Sequence, residues 1–385
     1  MISGPAGSGK SSILKFISDE FPGTFVLCPT GKAAARVKEL AGCEAMTLHR
    51  WQYSANEDED TGEVYFTTKD VDDLKMPSNN TLIVDEASMV TKQVWSDLYM
   101  FAQTMGLNIV LIGDGFQLPP VDSKNPGFSV FASTFEPDIR INLTQIHRQA
   151  LDNPIIRICN DIRTKPNILQ ALMDLEVVPK SQLDAALLEN WKSKGVVICH
   201  KNTTRFDLNN KIRDLLGLPK DLLESGEPLL VTKNNYELEV YNGEVFNVNN
   251  VNQKYPAIPI TDRFKNKTKF LNFQEIDLID DAESSSISAI VCPQEIFGKV
   301  EDMSPTAISK GSAALMRKKY SDLSRQLPHL HANLGYVLTC QKSQGSQWSE
   351  VLVVAEDSVK LTSQEGRRWY YTALSRCEKR VRVCI

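Results

Sequence analysis

Short apolar runs alternate with helix-forming segments along the first part of this 385-residue chain. Residues 25–28, 81–84 and 109–112 are almost entirely apolar, as in strands that are buried on both faces of a sheet. Good helix formers fill residues 32–40 between two of these runs. The pattern predicts an α/β fold in which helices cover a parallel sheet. In such folds, chemistry takes place at the carboxyl ends of the strands.

The same alternation restarts in the second half of the chain, with strands predicted at 195–199, 351–354 and 381–384. Between residues 227 and 331, short strand-like segments surround the dipeptide Asn242-Gly243, which is a strong signal for a tight turn. We therefore predict a first lobe, a helical connector, a second lobe in two pieces and a β-rich insertion. Their predicted bounds are 1–150, 151–175, 176–226 with 332–385, and 227–331.

Residues 51–80 change character within the first lobe. Trp51 and Tyr53 precede an acidic run at 57–60, and Thr61-Gly62 then separates two short segments, the second of which alternates in polarity. This pattern predicts an inserted β-hairpin. The sequence leaves open whether the hairpin has a function or is only a surface excursion.

A glycine-rich loop near the start of the chain fits the phosphate-binding pattern G-x-x-x-x-G-K-[ST] at every fixed position. Its glycines let successive backbone N–H groups point into one concavity, and the helix that follows adds partial positive charge at its N-terminus. Lys10 is expected to reach the outer phosphates of a nucleotide, and the Ser11 hydroxyl is expected to bind Mg²⁺. The predicted loop and helix start consist of Gly4, Pro5, Ala6, Gly7, Ser8, Gly9, Lys10, Ser11 and Ser12.

Polar side chains at later strand ends suit the same chemistry. Asp85 and Glu86 follow the strand at 81–84, and adjacent carboxylates there are costly unless a cation or a reaction uses them. We expect Asp85 to bind Mg²⁺ and Glu86 to polarise an attacking water. Gln117 is a candidate for sensing the terminal phosphate or orienting that water. Arg148 is a candidate for neutralising charge on a transferred phosphoryl group.

Composition narrows the class of protein. The 42% apolar and 24% charged content is ordinary for a globular chain, and no run of eighteen apolar residues is present that could span a membrane. The eight cysteines contain no C-x-x-C pair, which argues against a zinc site or a disulfide framework built on them and suits a reducing, cytoplasmic setting. Because the net charge is −5, a nucleic acid would have to be held by a local groove.

Six ordered segments resemble one family, the Dda/RecD/Pif-like group of superfamily-one helicases that move 5′ to 3′. The segments are residues 4–11, 85–89, 113–121, 143–149, 336–346 and 370–376. The resemblance implies two RecA-like lobes with ATP and Mg²⁺ bound between them, and a barrel-like, SH3-like insertion in the second lobe. It also implies a strand-separating pin at 51–80.

The same resemblance implies roles for individual residues. Arg148 and Arg376 match the arginine fingers of the family, Gly345 matches the glycine that approaches the nucleotide from the second lobe, and Gln347 stands where a ribose-binding glutamate is common. Segments that contact single-stranded DNA in the family contain Pro29, Thr30, Thr47, His49, Thr339 and Ser343. The expected partners are single-stranded and forked DNA, with single-strand-binding or replication proteins. The expected state is a monomer in the cytoplasm, or in the host cytoplasm if the chain is viral, acting in replication, repair or recombination.

The chain departs from the family pattern in four respects, one of which is Gly31, where Dda-like proteins often carry a histidine after Pro29-Thr30. Gln341 replaces a histidine, and Gln347 replaces the glutamate just mentioned. Only Met1, Ile2 and Ser3 precede the phosphate loop, whereas the family has an upstream helix with an adenine-recognising glutamine. We therefore expect weaker ATP affinity and relaxed nucleotide choice.

Two alternatives to a helicase remain open at this stage. One is another phosphate-loop enzyme, such as a kinase or a switch GTPase. The other is a remnant that binds single-stranded DNA without turnover. A basic stretch at 310–325 could face DNA or solvent, and we assign no role to His329 and His331.

Overall fold

The computed structural model describes residues 1–57, 64–132, 136–146, 153–165, 175–235, 237–263, 265–280, 286–320, 326–360 and 362–385. The chain divides into two compact units. The first unit contains residues 1–56, 66–200 and 339–385, and the second contains residues 57–65 and 201–338. Within the described ranges, no helix is long and apolar enough to cross a membrane.

A six-stranded sheet occupies the amino-terminal part of the first unit. The strands of this part of the chain are β1 (Ile2–Ser3), β2 (Phe25–Cys28), β3 (Ala45–Thr47), β4 (Tyr53–Glu57), β5 (Val64–Thr68), β6 (Thr81–Val84), β7 (Asn108–Gly113) and β8 (Ile141–Asn142). The sheet has the order β3-β2-β6-β7-β1-β8, and its strands are parallel. The predicted α/β class with a parallel sheet is confirmed.

Both faces of this sheet are buried, which explains why its strands are continuously apolar. Phe25 and Leu27 belong to a cluster with Trp51 on one face, whereas Val26 and Cys28 belong to a cluster with Leu14 on the other, and each cluster includes residues of two helices. The helices of this region are α1 (Lys10–Glu20), α2 (Gly31–Ala41), α3 (Leu48–Gln52) and α4 (Lys92–Met105). The connections from β1 to α1 and from β2 to α2 therefore lie at the carboxyl edge of the sheet.

The rest of the chain alternates between strands and helices. Its strands are β9 (Glu176–Val178), β10 (Val196–Cys199), β11 (Pro228–Val231), β12 (Val245–Asp262), β13 (Lys267–Ile279), β14 (Ser286–Val291), β15 (Ala332–Leu334), β16 (Val337–Thr339), β17 (Trp348–Val354) and β18 (Cys377–Cys384). Its helices are α5 (Pro154–Thr164), α6 (Leu183–Lys192), α7 (Asn202–Leu215), α8 (Pro293–Ile296), α9 (Pro305–Lys319), α10 (Cys340–Ser343) and α11 (Gln364–Leu374).

A second sheet has the order β16-β10-β17-β18-β9, and β10, β17, β18 and β9 pair in parallel. The chain passes from the second unit back into the first within β16. Strands β10 and β17 contain continuous apolar runs, and β10, β17 and β18 overlap the strands that the sequence predicts.

The second unit contains an antiparallel sheet of order β14-β13-β12-β11-β15. Strands β12 and β13 are long, and register shifts interrupt their pairing at three places. The edge strands β14 and β15 do not pair with each other, and an isolated bridge from Ile290 to His329 joins β14 to the segment just before β15. The insertion that the resemblance predicts as barrel-like is therefore β-rich, but its strands form no closed barrel within the described residues.

Strands β4 and β5 pair with each other as a separate hairpin. Asn56 donates a side-chain hydrogen bond to the Thr67 hydroxyl across the pair at 2.8 Å. The Thr61-Gly62 turn that predicted the hairpin lies outside the described residues.

Candidate functional site

The phosphate loop joins β1 to α1 at the carboxyl edge of the first sheet. Gly7 and Gly9 have φ angles of 78° and 85°, a left-handed conformation that side chains with a Cβ rarely adopt. A Cβ on Gly4 would lie 2.4 Å from Ser8 Oγ and 2.8 Å from Leu143 Cβ, so the first glycine is required by space. The Lys10 ammonium donates hydrogen bonds to the carbonyls of Gly4 and Pro5 at 2.8 and 2.9 Å. The Lys10 side chain therefore fixes the conformation of the loop through two of its carbonyls.

The carboxylate pair lies at the end of β6, beside this loop. Burial and the neighbouring Glu86 charge raise the pKa of Asp85 to about 7, and the charges of Lys10 and Arg36 act in the opposite direction. Glu86 has a φ of 49°, a strained value for a side chain with a Cβ. Its Oε2 atom is buried without a hydrogen-bond partner among the described residues. Strain and unpaired buried oxygens are features of sites that await a ligand or a reaction.

One cavity brings these residues together. It is lined by Lys10, Ser11, Leu14, Ala33, Arg36, Val37, Leu40, Asp85, Glu86 and Gly345. Gly345 comes from the segment between β16 and β17, and a Cβ there would lie 3.3 Å from Thr30 Oγ1. The cavity measures about 50 Å³, whereas clefts that hold ligands measure about 300–1,000 Å³. Nucleotide entry therefore requires the Gly345 segment and α2 to move apart.

Gln117 lies in the segment that follows β7, and this segment is bound by side chains of the second sheet's helices. The Gln117 side chain is buried, and its Oε1 atom has no partner among the described residues. The next residue, Leu118, donates its N–H to Thr372 Oγ1 at 2.9 Å and accepts from Gln344 Nε2 at 3.1 Å. A movement of α11 would therefore be transmitted to the backbone beside Gln117.

Tyr371, one residue before Thr372 on α11, links the phosphate loop to the same segment. Its hydroxyl accepts a hydrogen bond from the Ala6 N–H at 2.9 Å and donates one to Asp114 Oδ2 at 2.5 Å. Burial, and then the Asp114 charge, raise the pKa of the Tyr371 hydroxyl well above its ordinary value, so it stays protonated as a donor. The ring also packs edge-on against Phe116, with centroids 5.1 Å apart.

Arg376 and Gln347, which are also predicted to belong to the nucleotide site, are not among the described residues that line the cavity. Arg376 is buried and bonds to the carbonyls of Thr372 and Ser346 and to Ser375 Oγ. Gln347 is exposed. Arg148 lies outside the described residues.

The candidate DNA residues share a local role. Thr30, Thr47 and Thr339 each end a strand segment and cap the helix that follows, by accepting a hydrogen bond from the N–H three residues later. Pro29 is partly buried and precedes one of these caps. His49 is exposed, with its ring 5.5 Å from that of Tyr53. Ser343 is fully buried and donates to the Cys340 carbonyl at 2.7 Å, so its hydroxyl is engaged inside α10.

A larger cleft lies between the segment after β7 and helices α10 and α11. It measures about 580 Å³. Its walls are Leu118, Pro119, Pro120, Val121, Asp122, Ser123, Pro126, Gly127, Gln341, Gln364, Glu365 and Arg368. Gln341, which departs from the family pattern, is therefore part of this cleft.

Comparisons with known proteins agree with this architecture. The AAA domain family matches residues 1–178, and the UvrD-like helicase C-terminal domain family matches residues 334–384. The ATP-dependent RecD2 DNA helicase of Deinococcus radiodurans is 26% identical over 402 residues, which cover 99% of this chain and 46% of the relative. The ATP-dependent DNA helicase dda of Enterobacteria phage T4 is 30% identical over 168 residues, which cover 42% of this chain and 37% of the relative.

These matches confirm the predicted resemblance to the Dda/RecD/Pif-like group of superfamily-one helicases. The chain spans less than half the length of either relative. Among solved structures, Pif1 helicase from Bacteroides in complex with ADP-AlF3 and ssDNA has a TM-score of 0.54 at 18% identity, covering 99% of this chain and 87% of that one. Pif1 helicase from Candida albicans has a TM-score of 0.52 at 19% identity, covering 100% and 90%. These likenesses confirm the RecA-like fold of the group.

Sequence reasoning did not identify three residues of this candidate site. Arg36 lines the cavity from α2, and Tyr371 and Asp114 connect the two sheets. The spacing of Arg36, six residues after Thr30 on a helix that starts at a strand end, could have indicated it. No local pattern indicates the pairing of Tyr371 with Asp114, because 257 residues separate them.

Proposed function

We propose that this chain is an ATP-driven motor that moves along single-stranded DNA from 5′ to 3′ and separates duplex DNA. The observation that supports it most is the shared cavity, in which Lys10, Asp85 and Glu86 of the first sheet meet Gly345 of the second. A site assembled from two sheets changes when the sheets move, so nucleotide binding and release can drive motion.

The residues around the phosphate loop fit the nucleotide and its metal. Backbone N–H groups and Lys10 would bind the phosphates. The Asp85 carboxylate and the Ser11 hydroxyl offer the oxygen ligands that Mg²⁺ prefers, and a cation bound there would offset the burial and the Glu86 charge that raise the pKa of Asp85. When bound, Mg²⁺ supplies charge that stabilises the transferred phosphoryl group.

Hydrolysis would depend on Glu86, which lines this cavity, and on groups that are not among its described lining residues. Glu86 would orient the attacking water through its unpaired oxygen, and Gln117 would report the terminal phosphate to the Leu118 segment. Arg376 would act as an arginine finger after leaving its backbone carbonyls, and Arg148 would supply a second cation. Reopening after hydrolysis would separate Gly345 from Thr30.

DNA would run along the capped helix starts and the larger cleft. Thr30, Thr47 and Thr339 lie at helix starts, where their hydroxyls could also donate hydrogen bonds to phosphate oxygens. Pro119 and Pro120 form an apolar part of the cleft wall, against which the faces of DNA bases could pack. The hairpin of β4 and β5 would divide the duplex ahead of the motor.

ATP hydrolysis measured with and without single-stranded DNA tests this proposal. We expect DNA to stimulate turnover strongly and Lys10→Ala to abolish it. Lys15→Ala is the matched control, because Lys15 lies on the same helix with its ammonium in an exposed pair with Asp19, and we expect its turnover to match the wild type. Slow hydrolysis at a rate that does not change when DNA is added would favour a kinase-like or switch enzyme. DNA binding without hydrolysis would favour a remnant that only binds DNA.

Polarity and strand separation need a second measurement. Forked DNA with a single 5′ tail should be unwound, and the same duplex with a single 3′ tail should not. Equal unwinding of both would contradict the proposed direction while leaving the motor intact.

A further inference from the structure

A buried carboxylate lies between two histidines in the second unit, far along the chain from the nucleotide site. Glu295 Oε2 is 3.0 Å from His329 Nε2, and Glu295 Oε1 is 2.5 Å from His331 Nδ1. The side chains of Glu295, His329 and His331 are only 15%, 4% and 13% exposed. One ligand atom from each residue lies within 4.8 Å of the others. We call these three residues the Glu-His-His cluster.

Rigid backbone holds the cluster. Glu295 lies in α8, directly after β14, and 34 residues separate it from His329. The segment of His329 pairs with Ile290 near the end of β14: the Leu330 N–H donates to the Ile290 carbonyl at 2.8 Å. His331 directly precedes β15. The three side chains therefore converge because the sheet brings distant segments together.

An outer hydrogen bond orients one of the histidines. His331 Nε2 lies 2.8 Å from Ser309 Oγ on α9, which leaves Nδ1 to face Glu295. Metal-binding histidines generally donate their other ring N–H to such a partner, which fixes the tautomer and the ring orientation. Ser309 thus occupies the place of an outer partner.

The charge of Glu295 lacks an ordinary counterion. Among the described residues, its ion pairs are with the two histidines, and no lysine or arginine lies within ion-pair distance. Buried charges in proteins are paired with an opposite charge or coordinate a metal. Both imidazoles are placed to bond the carboxylate, and a divalent cation among the three side chains would take the place of the shared protons.

We propose that the Glu-His-His cluster binds a divalent transition-metal ion of the Zn²⁺ class. Two imidazole nitrogens and one carboxylate oxygen form a donor set that zinc accepts, and imidazole donors disfavour Mg²⁺ and Ca²⁺. Three protein ligands leave a fourth position for water. The ion would tie α8 to the start of β15 and so stabilise the antiparallel sheet of the second unit. The proposal does not depend on the proposed motor.

The test is Zn²⁺ binding to the full chain after treatment with a chelator, by calorimetry and by competition with a chromogenic chelator. We expect Glu295→Gln, which preserves the shape of the side chain and one of its two acceptor oxygens, to weaken the binding of one equivalent of Zn²⁺ by more than about 100-fold. That expectation exceeds the roughly 10–100-fold that loss of an outer partner costs. Ser309→Ala should fall within the outer-partner range. Glu301→Gln, an exposed glutamate six residues further on, is the matched control and should bind like the wild type.

Two further readouts separate this site from other zinc binding. Zn²⁺ should raise the thermal midpoint of the wild type but not that of Glu295→Gln. Co²⁺ bound in place of zinc should give a spectrum of nitrogen and oxygen ligands, without the charge-transfer bands of thiolates. Identical Zn²⁺ binding by wild type and Glu295→Gln, or thiolate bands in the Co²⁺ spectrum, would overturn the proposal. Circular dichroism would confirm that each variant folds.

Discussion

Replacing Tyr371 by phenylalanine tests whether the link between the two sheets serves the nucleotide cycle. The change removes one hydroxyl and keeps the ring that packs against Phe116. It deletes the bond from the Ala6 N–H and the bond to the Asp114 carboxylate, and Asp114 is only 2% exposed. The perturbation therefore acts on the phosphate loop and on the segment after β7 at once.

The expected magnitude follows from the two bonds. A bond to a charged group contributes about 1.5–3 kcal/mol and a neutral one about 0.5–1.5 kcal/mol. Because one hydroxyl makes both hydrogen bonds, we expect its removal to cost about 2–4 kcal/mol in total. Each 1.4 kcal/mol is tenfold in an equilibrium constant, so the loss corresponds to roughly 30- to 1,000-fold in the closure of the two sheets.

The assay is steady-state ATP hydrolysis on saturating single-stranded DNA, with thermal unfolding measured in parallel. We expect kcat/KM to fall by at least about tenfold in Tyr371→Phe. Tyr370→Phe is the matched control: it is buried on the same helix, and its hydroxyl makes no hydrogen bond to any residue that the structure describes. We expect it to stay within about twofold of the wild type.

Two results would refute this reasoning. The first is a kcat/KM for Tyr371→Phe within about threefold of the wild type, which would mean that the link is not part of the cycle. The second is a fall in thermal midpoint with equal losses of activity in both tyrosine variants, which would mean that α11 is merely destabilised.

Two further predictions concern single residues of the nucleotide site. Arg376→Ala should leave ATP binding nearly intact and cut turnover by about 10³-fold or more, as expected for an arginine finger, so a mild loss measured in the same assay would contradict that role. Asp85 has a pKa of about 7 in the folded chain and near 3.9 when unfolded, so between these values the folded state binds more protons. Without Mg²⁺, stability should therefore fall as pH rises from about 4 to about 7, and Asp85→Asn should flatten this part of the profile of thermal midpoint against pH; an unchanged profile would contradict the raised pKa.

Local patterns predicted the first sheet and the phosphate loop well. Strands such as β2 and β6 are buried on both faces, so their consecutive apolar residues could not belong to an exposed element. The glycines of the loop are fixed by φ angle and by space, as Gly4 illustrates. The positions of Asp85 and Glu86 could also be predicted, because the end of a parallel strand places adjacent carboxylates beside the phosphate loop.

Features that depend on distant segments were not predictable. Strand β12 continues to Asp262, well beyond the short run near residue 246 that the pattern indicated. Its full length was not predictable because exposed positions and register shifts interrupt the alternation of apolar and polar residues. Whether the β-rich insertion closes into a barrel could not be predicted, because the pairing of its edge strands depends on the geometry of the whole sheet. The Glu-His-His cluster was missed for the same reason, although both histidines were noticed.

Helix α11 provides the physical connection between the nucleotide cavity and the larger cleft. Its consecutive residues Tyr371 and Thr372 bind Asp114 and Leu118, the two ends of one short segment. Asp114 is joined through the tyrosine hydroxyl to the phosphate loop, whereas Leu118 forms part of the cleft wall. A shift of α11 on nucleotide binding would therefore displace both ends together. In the proposed motor, that shared displacement would convert closure around ATP into a change of grip on DNA.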